Sequence, residues 1–265
     1  MADRRITLHQ LSLRDIGPVD LARLAPEAGF GSVSVFLHPP APQLDIFPRL
    51  QPGAETAVFR AALREGGVSV HNIEALPFSG RTEPDDYLPV LDHAAEIGAT
   101  RATVLIYDRD LARASDRLSR TCAAAADRGI AISIEFMAFS ALTTVGQAAE
   151  FVRANGHPNL SLLVDPLHLA RTGGNPAELP ALADTIGALQ FCDAPLAAPE
   201  KAFAEAVENR GIPGEGELPL QDLLDQTAPG LALDVEVPML RLQEQGISPL
   251  DRARRLRASL AAYRL

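Results

Sequence analysis

Residues 127–136, Asp127-Arg128-Gly129-Ile130-Ala131-Ile132-Ser133-Ile134-Glu135-Phe136, decide the fold. They follow an Ala/Leu/Arg-rich stretch, Leu111–Arg128, whose apolar residues recur at three-to-four spacing, as in a helix with one buried face. Gly129 supplies the left-handed residue that ends such a helix. A short β-branched run comes next and stops at a carboxylate. The same punctuation recurs at Ala28-Gly29-Phe30, Glu65-Gly66-Gly67, Ile97-Gly98-Ala99 and Ala154-Asn155-Gly156. Candidate strands begin near Ile6, Ser32, Val68, Ala102, Ala131, Ser161, Ala188 and Ala232. These starts fall about 30 residues apart, the length of one βα unit. Helices are expected over Asp85–Ile97 and Thr144–Ala154 as well. Eight such units predict an α/β protein, a single (β/α)8 TIM barrel occupying residues 1–265. A doubly wound open sheet is the rival, but no Gly-x-Gly-x-x-Gly or P-loop follows the first strand. No linker or shift in composition divides the chain.

The composition narrows the function classes. The chain is 47% hydrophobic, enough for one sizeable core, and disorder is excluded at that hydrophobicity. Its formal net charge is −10. An acidic chain has nothing to drive counterion release from a phosphate backbone, so nucleic acid is not an expected partner. Cys122 and Cys192 form no Cys-x-x-Cys pair, which argues against structural zinc or a disulfide scaffold. No apolar run approaches the roughly 20 residues of a membrane span, and Met1–Arg5 does not open a signal peptide. The expectation is a soluble, cytoplasmic protein with no membrane partner.

In a barrel, side chains at the carboxyl ends of the strands converge on one open face, where active sites form. Strand 5 ends at Glu135, strand 6 runs into Asp165-Pro166-Leu167-His168, strand 7 carries Gln190-Phe191-Cys192-Asp193, and strand 8 ends at Glu236. Taken singly, each carboxylate could cap the following helix or pair with a surface arginine. Three carboxylates and an amide in the same register on four consecutive strands favour a shared cation, because buried carboxylates without a counter-ion must protonate. All-oxygen donors suit a hard divalent ion, Mn²⁺ or Mg²⁺.

The segments Ile134-Glu135-Phe136, Asp165-Pro166-Leu167-His168-Leu169-Ala170-Arg171-Thr172-Gly173-Gly174-Asn175, Gln190-Phe191-Cys192-Asp193, Arg210-Gly211-Ile212-Pro213-Gly214-Glu215-Gly216 and Val235-Glu236-Val237-Pro238 resemble, in order and spacing, the xylose-isomerase-like family of TIM barrels. That family includes sugar phosphate isomerases and epimerases, hydroxypyruvate isomerases, and dehydratases of inosose and 3-dehydroshikimate. The resemblance implies that Glu135, Asp165, Gln190 and Glu236 bind the metal, with Co²⁺ or Zn²⁺ as alternatives to Mn²⁺ and Mg²⁺. It implies that Glu135 and Glu236 are also the acid/base pair, that His168 polarises a substrate oxygen and that Arg210 holds the substrate. It also implies a homodimer or homotetramer. Many members carry a lysine where this chain has Cys192.

The expected activity is therefore a divalent-metal-dependent isomerase or epimerase of a small sugar or hydroxy-keto acid, acting by proton abstraction through an enediolate. A metal-dependent dehydratase of a keto-inositol or 3-dehydroshikimate-like ring is the alternative, and a non-catalytic binding barrel the third. His71 and Glu74, near the end of strand 3, are candidates for the pocket lining, whereas His9, His93 and His157 read as structural. Phe36–Pro42, rich in proline, reads as a stiff rim.

Overall fold

The computed structural model describes residues 4–41 and 47–265; Pro42 of the expected rim lies outside them. Eight strands form a closed barrel in the order β1 to β8: Ile6–His9, Ser32–Phe36, Ser69–Phe78, Arg101–Ile106, Ala131–Glu135, Leu160–Val164, Ile186–Phe191 and Leu233–Val235. Every neighbouring pair is parallel, and β1 closes on β8 through Thr7 opposite Asp234. The fold is thus a (β/α)8 TIM barrel, and each strand starts within two residues of its expected position.

The helices form the outer layer: α1 (Pro18–Glu27), α2 (Ala54–Gly66), α3 (Leu88–Glu96), α4 (Leu111–Ala126), α5 (Val145–Asn155), α6 (Pro166–Arg171), α7 (Ala202–Glu208), α8 (Leu220–Asp225), α9 (Leu240–Glu244) and α10 (Pro249–Ser259). Helix α4 shows why they form. Asp110 caps it by accepting from the Arg113 amide, Ala114, Leu118, Thr121, Cys122 and Ala125 make one buried stripe, and Gly129 (φ 70°) turns the chain into β5. The expected helix over Asp85–Ile97 is divided: Pro84–Tyr87 is a 3₁₀ turn and α3 begins at Leu88, because Pro84 and Pro89 each suit a helix start rather than a continuous interior.

The strands look apolar in sequence but alternate in space. Ile132 and Ile134 are fully buried in the core shared with the helices, as are Leu8, Val33, Val35, Ile73, Val104, Leu162 and Val235. The intervening residues point into the bore, as contacts between non-adjacent strands show. Ser34 on β2 donates to Asp234 on β8 at 2.5 Å, and Gln190 on β7 reaches Glu74 on β3 at 3.2 Å. Lower in the bore, Thr7 meets Ser32, Asn72 meets Thr103, and Arg101 spans to Ser133 and Ser161. TIM-barrel interiors are usually filled by branched aliphatic side chains; this one is filled largely by hydrogen-bonded polar groups. Among the described residues no helix is long and apolar enough to cross a membrane.

Candidate active site

The bore ends in a layer of ionisable groups at the carboxyl edge of the sheet. His9 comes from β1, Glu74 from β3, Glu135 from β5, Asp165 and His168 from the turn after β6, Gln190 from β7 and Glu236 from just past β8. All are buried. Glu74, Glu135, His168 and Glu236, with Arg210, line a pocket that holds ≈ 490 Å³ of space, part of it open to solvent.

Asp165 does two things at once. Its Oδ1 accepts from the amides of Leu167 (2.6 Å) and His168 (3.4 Å), capping α6, while its Oδ2 accepts from Arg210 Nη1 at 2.6 Å. The helix-cap and site readings of this residue are therefore compatible. Because Pro166 fills the first helical position, His168 emerges one turn along with Nε2 3.4 Å from Glu135 Oε1.

Arg210 is held between two of the four expected ligands. Its Nη1 lies 2.6 Å from Asp165 Oδ2 and 2.6 Å from Glu236 Oε2, and its Nε donates to the Ala206 carbonyl at 2.9 Å. The segment carrying it is pinned by Asp193. Asp193 Oδ1 accepts from the amides of Ala194 and Leu218, and its Oδ2 accepts from those of Gly214 and Gly216. The glycines permit this: a Cβ on Gly216 would stand 2.6 Å from the Ala194 nitrogen. Cys192 packs behind, its thiol 3.6 Å from Asp165 Oδ1 and 3.7 Å from Arg210 Nη1. Burial and the Asp165 carboxylate push that thiol well above its ordinary pKa, so it is no nucleophile.

The electrostatics follow from crowding. Burial, then Glu236, Glu74 and Asp165, raise Glu135 well above the carboxylate range. Burial raises Glu236 to about 7 despite Arg210 and His9. Burial also works to raise Asp165, but Arg210, His168 and two backbone amides outweigh it and hold the group low. Burial, reinforced by Arg210, lowers His168 to about 4, so its ring is neutral at pH 7.

His9, read from the sequence as structural, belongs to this layer. Its Nε2 lies 3.2 Å from Glu74 Oε1 and its Nδ1 3.3 Å from Glu236 Oε1. Burial opposes protonation, yet Glu236, Glu74 and Asp234 together lift it to about 10. The Leu11 amide nitrogen also lies 3.1 Å from Nδ1. A lone histidine in a short strand carries no sequence signal for this; only the closure of β1 against β8 brings it beside Glu236. His71 goes elsewhere. It is buried on β3 near Arg101 and Arg5, and burial and those two cations depress it to about 3. It is not among the residues that line the pocket.

The donor set suits a divalent cation. The ligand atoms of Glu135, Asp165 and His168 lie within 4.8 Å of one another, as do those of His9, Glu74 and Glu236. Gln190 donates its Nε2 to Glu74 and leaves Oε1 buried without a hydrogen-bond partner. Were all four carboxylates ionised they would face one guanidinium and at most one imidazolium, leaving at least two negative charges unbalanced, and that crowding is what pushes Glu135 and Glu236 up. A doubly charged ion with oxygen ligands meets that deficit.

Residues 22–261 match the family described as the xylose isomerase-like TIM barrel, and the chain belongs to that family. No curated protein matches it in sequence. Among solved structures it is similar to a xylose isomerase-like TIM barrel/4-hydroxyphenylpyruvate dioxygenase fusion protein (TM-score 0.79, 21% identity), covering 98% of this chain and 42% of that one. It is also similar to the IolI protein crystallised with a zinc atom (TM-score 0.78, 16% identity, 97% of each chain). A D-psicose 3-epimerase in the presence of D-fructose is a third (TM-score 0.74, 15% identity, 97% of each chain). At these identities the likeness is one of fold.

Proposed function

We propose that the protein is a divalent-metal-dependent isomerase or epimerase of a small hydroxy-carbonyl compound, a sugar or hydroxy-keto acid. Glu135, Asp165, Gln190 and Glu236 would hold the ion, Mn²⁺ or Mg²⁺ with Co²⁺ or Zn²⁺ as alternatives. When bound it would polarise the hydroxy-carbonyl pair and offset the charge that develops on deprotonation. The observation that carries this reading is the opposition of two buried carboxylates, Glu135 on β5 and Glu236 beyond β8, both with raised proton affinity, across one pocket.

The chain's own groups suffice to move the proton. Glu236, held near neutrality, removes a proton from the carbon beside the carbonyl. Glu135, more strongly protonated, delivers one to the other face or to the neighbouring carbon. His168, neutral, keeps an imidazole on the substrate oxygen without adding charge. Arg210 fixes the Glu236 carboxylate while the substrate turns over. Return to the opposite face is epimerisation, and return to the next carbon is isomerisation.

The test is proton NMR in deuterated buffer with Mg²⁺-loaded protein and a panel of ketoses and hydroxy-keto acids. Solvent deuterium should enter the substrate without loss of water. Glu135→Gln and Glu236→Gln should each slow that exchange by about 10²- to 10⁴-fold. A new enone absorbance would replace this reading with a dehydratase. Absence of any divalent ion from the purified protein, with no exchange, would replace it with a binding barrel.

A further inference from the structure

The pocket is divided. Its floor is the layer of ionisable groups, but its walls are apolar, lined by Phe36, Phe47, Tyr107, Met137, Phe139 and Phe203. These side chains come from five separate segments and pack on one another: Phe36 stacks on Phe47 at 5.0 Å, and Phe139 meets Phe203 edge-on at 5.3 Å. Phe139 also sets its ring edge-on to His168 at 5.7 Å, joining the wall to the floor. Phe139 and Phe203 remain 37% and 42% exposed, so an aromatic pair stands open at the rim.

A polyol chain or phosphate would find little here. Among the described residues Arg210 is the only cation lining the pocket, and its Nη1 is already committed to Asp165 and Glu236. The first amides of α6 are taken by Asp165 Oδ1. Phosphate recognition needs free guanidinium, ammonium or backbone N–H donors, while hydroxyls placed against phenylalanine lose their water without replacement.

We infer that the substrate is an α-hydroxy carbonyl compound with an unphosphorylated, carbon-rich tail, aryl or branched alkyl, that lies between Phe139–Phe203 and Phe36–Phe47. This rests on the reading of the floor as the reacting centre. The tail would bury wall surface that a sugar chain leaves wet, and gains of this kind amount to about ten- to a hundredfold in affinity.

The test compares three compounds with one reacting head, the 4-phenyl, 4-hydroxy and 4-phospho derivatives of 1,3-dihydroxybutan-2-one, with Mg²⁺-loaded protein. Binding is read by calorimetry and exchange at C3 by NMR in deuterated buffer. The phenyl compound should bind at least about tenfold tighter than the hydroxy compound, and the Phe139→Ser/Phe203→Ser double variant should reduce that ratio towards one. Equal binding of the two, or preference for the phospho compound, overturns the inference, and exchange with the hydroxy compound would then leave the proposed activity standing. Tight phenyl binding with no exchange in any compound supports the tail site and overturns the proposed reaction instead. No binding by any of the three overturns the inference.

Discussion

Arg210 shows how one residue sets the character of the site. A guanidinium 3% exposed at its side chain bridges Asp165 and Glu236, 2.6 Å from each. Replacing it by methionine keeps the volume and strands two buried carboxylates, a loss of about 3–5 kcal/mol for a broken buried pair. Arg210→Met should therefore melt well below the wild type in chelator-treated protein. Added Mn²⁺ should recover more of the melting temperature in the variant than in the wild type, as scanning calorimetry would show; equal recovery would mean that the arginine and the ion do not share these carboxylates. Residue by residue, the placement of the candidate site was legible for Glu135, Asp165, Gln190 and Glu236, which stand at the carboxyl edge of the sheet, while their role as ligands belongs to the proposal. It was not legible at His9, whose partners lie in β3 and beyond β8, far away in the chain, nor at His71, which sits only three positions before Glu74 yet faces two arginines.

At the scale of elements, the chain's punctuation carried the fold. Gly29, Gly67, Gly98, Gly129 and Gly156 all take positive φ, each closing a helix before the next strand. The loops were less readable because their order depends on single distant contacts. The segment from Arg210 to Gly216 is shaped by four backbone amides converging on Asp193, and nothing local announces that. Asp193→Ala should cost about 3 kcal/mol in urea denaturation, since charged acceptors of buried N–H groups contribute more than neutral ones. It should also raise KM, because the same segment delivers Arg210. A variant as stable as the wild type would show that the glycines alone hold the turn. The apolar wall escaped the sequence for a similar reason: its aromatics come from the end of β2, from α7 and from separate loops, and become a surface only when the barrel closes.

For the whole molecule, acid stability is set by groups pulling in opposite directions. His71, depressed to about 3 by burial and by Arg101 and Arg5, stays neutral in the fold but charges in the unfolded chain below about 6.5. Its contribution is present above that pH and is lost as the pH falls towards 3, at up to about 1.4 kcal/mol per pH unit. Glu236, raised to about 7, acts the other way, its burial becoming easier as the pH drops through neutrality. The difference between wild type and His71→Asn isolates the histidine. From pH 7.5 to 5 the melting temperature of the wild type should fall relative to that of the variant, and parallel curves would place the ring in contact with water.

The alternation of the staves has a wider meaning. Ile132 and Ile134 face the helical shell, whereas Ser133 and Glu135 face the bore. Selection for folding and selection for chemistry thus fall on alternate positions of the same strand. The lining can drift towards a new substrate, one inward residue at a time, while the shell that keeps the cylinder closed is left undisturbed.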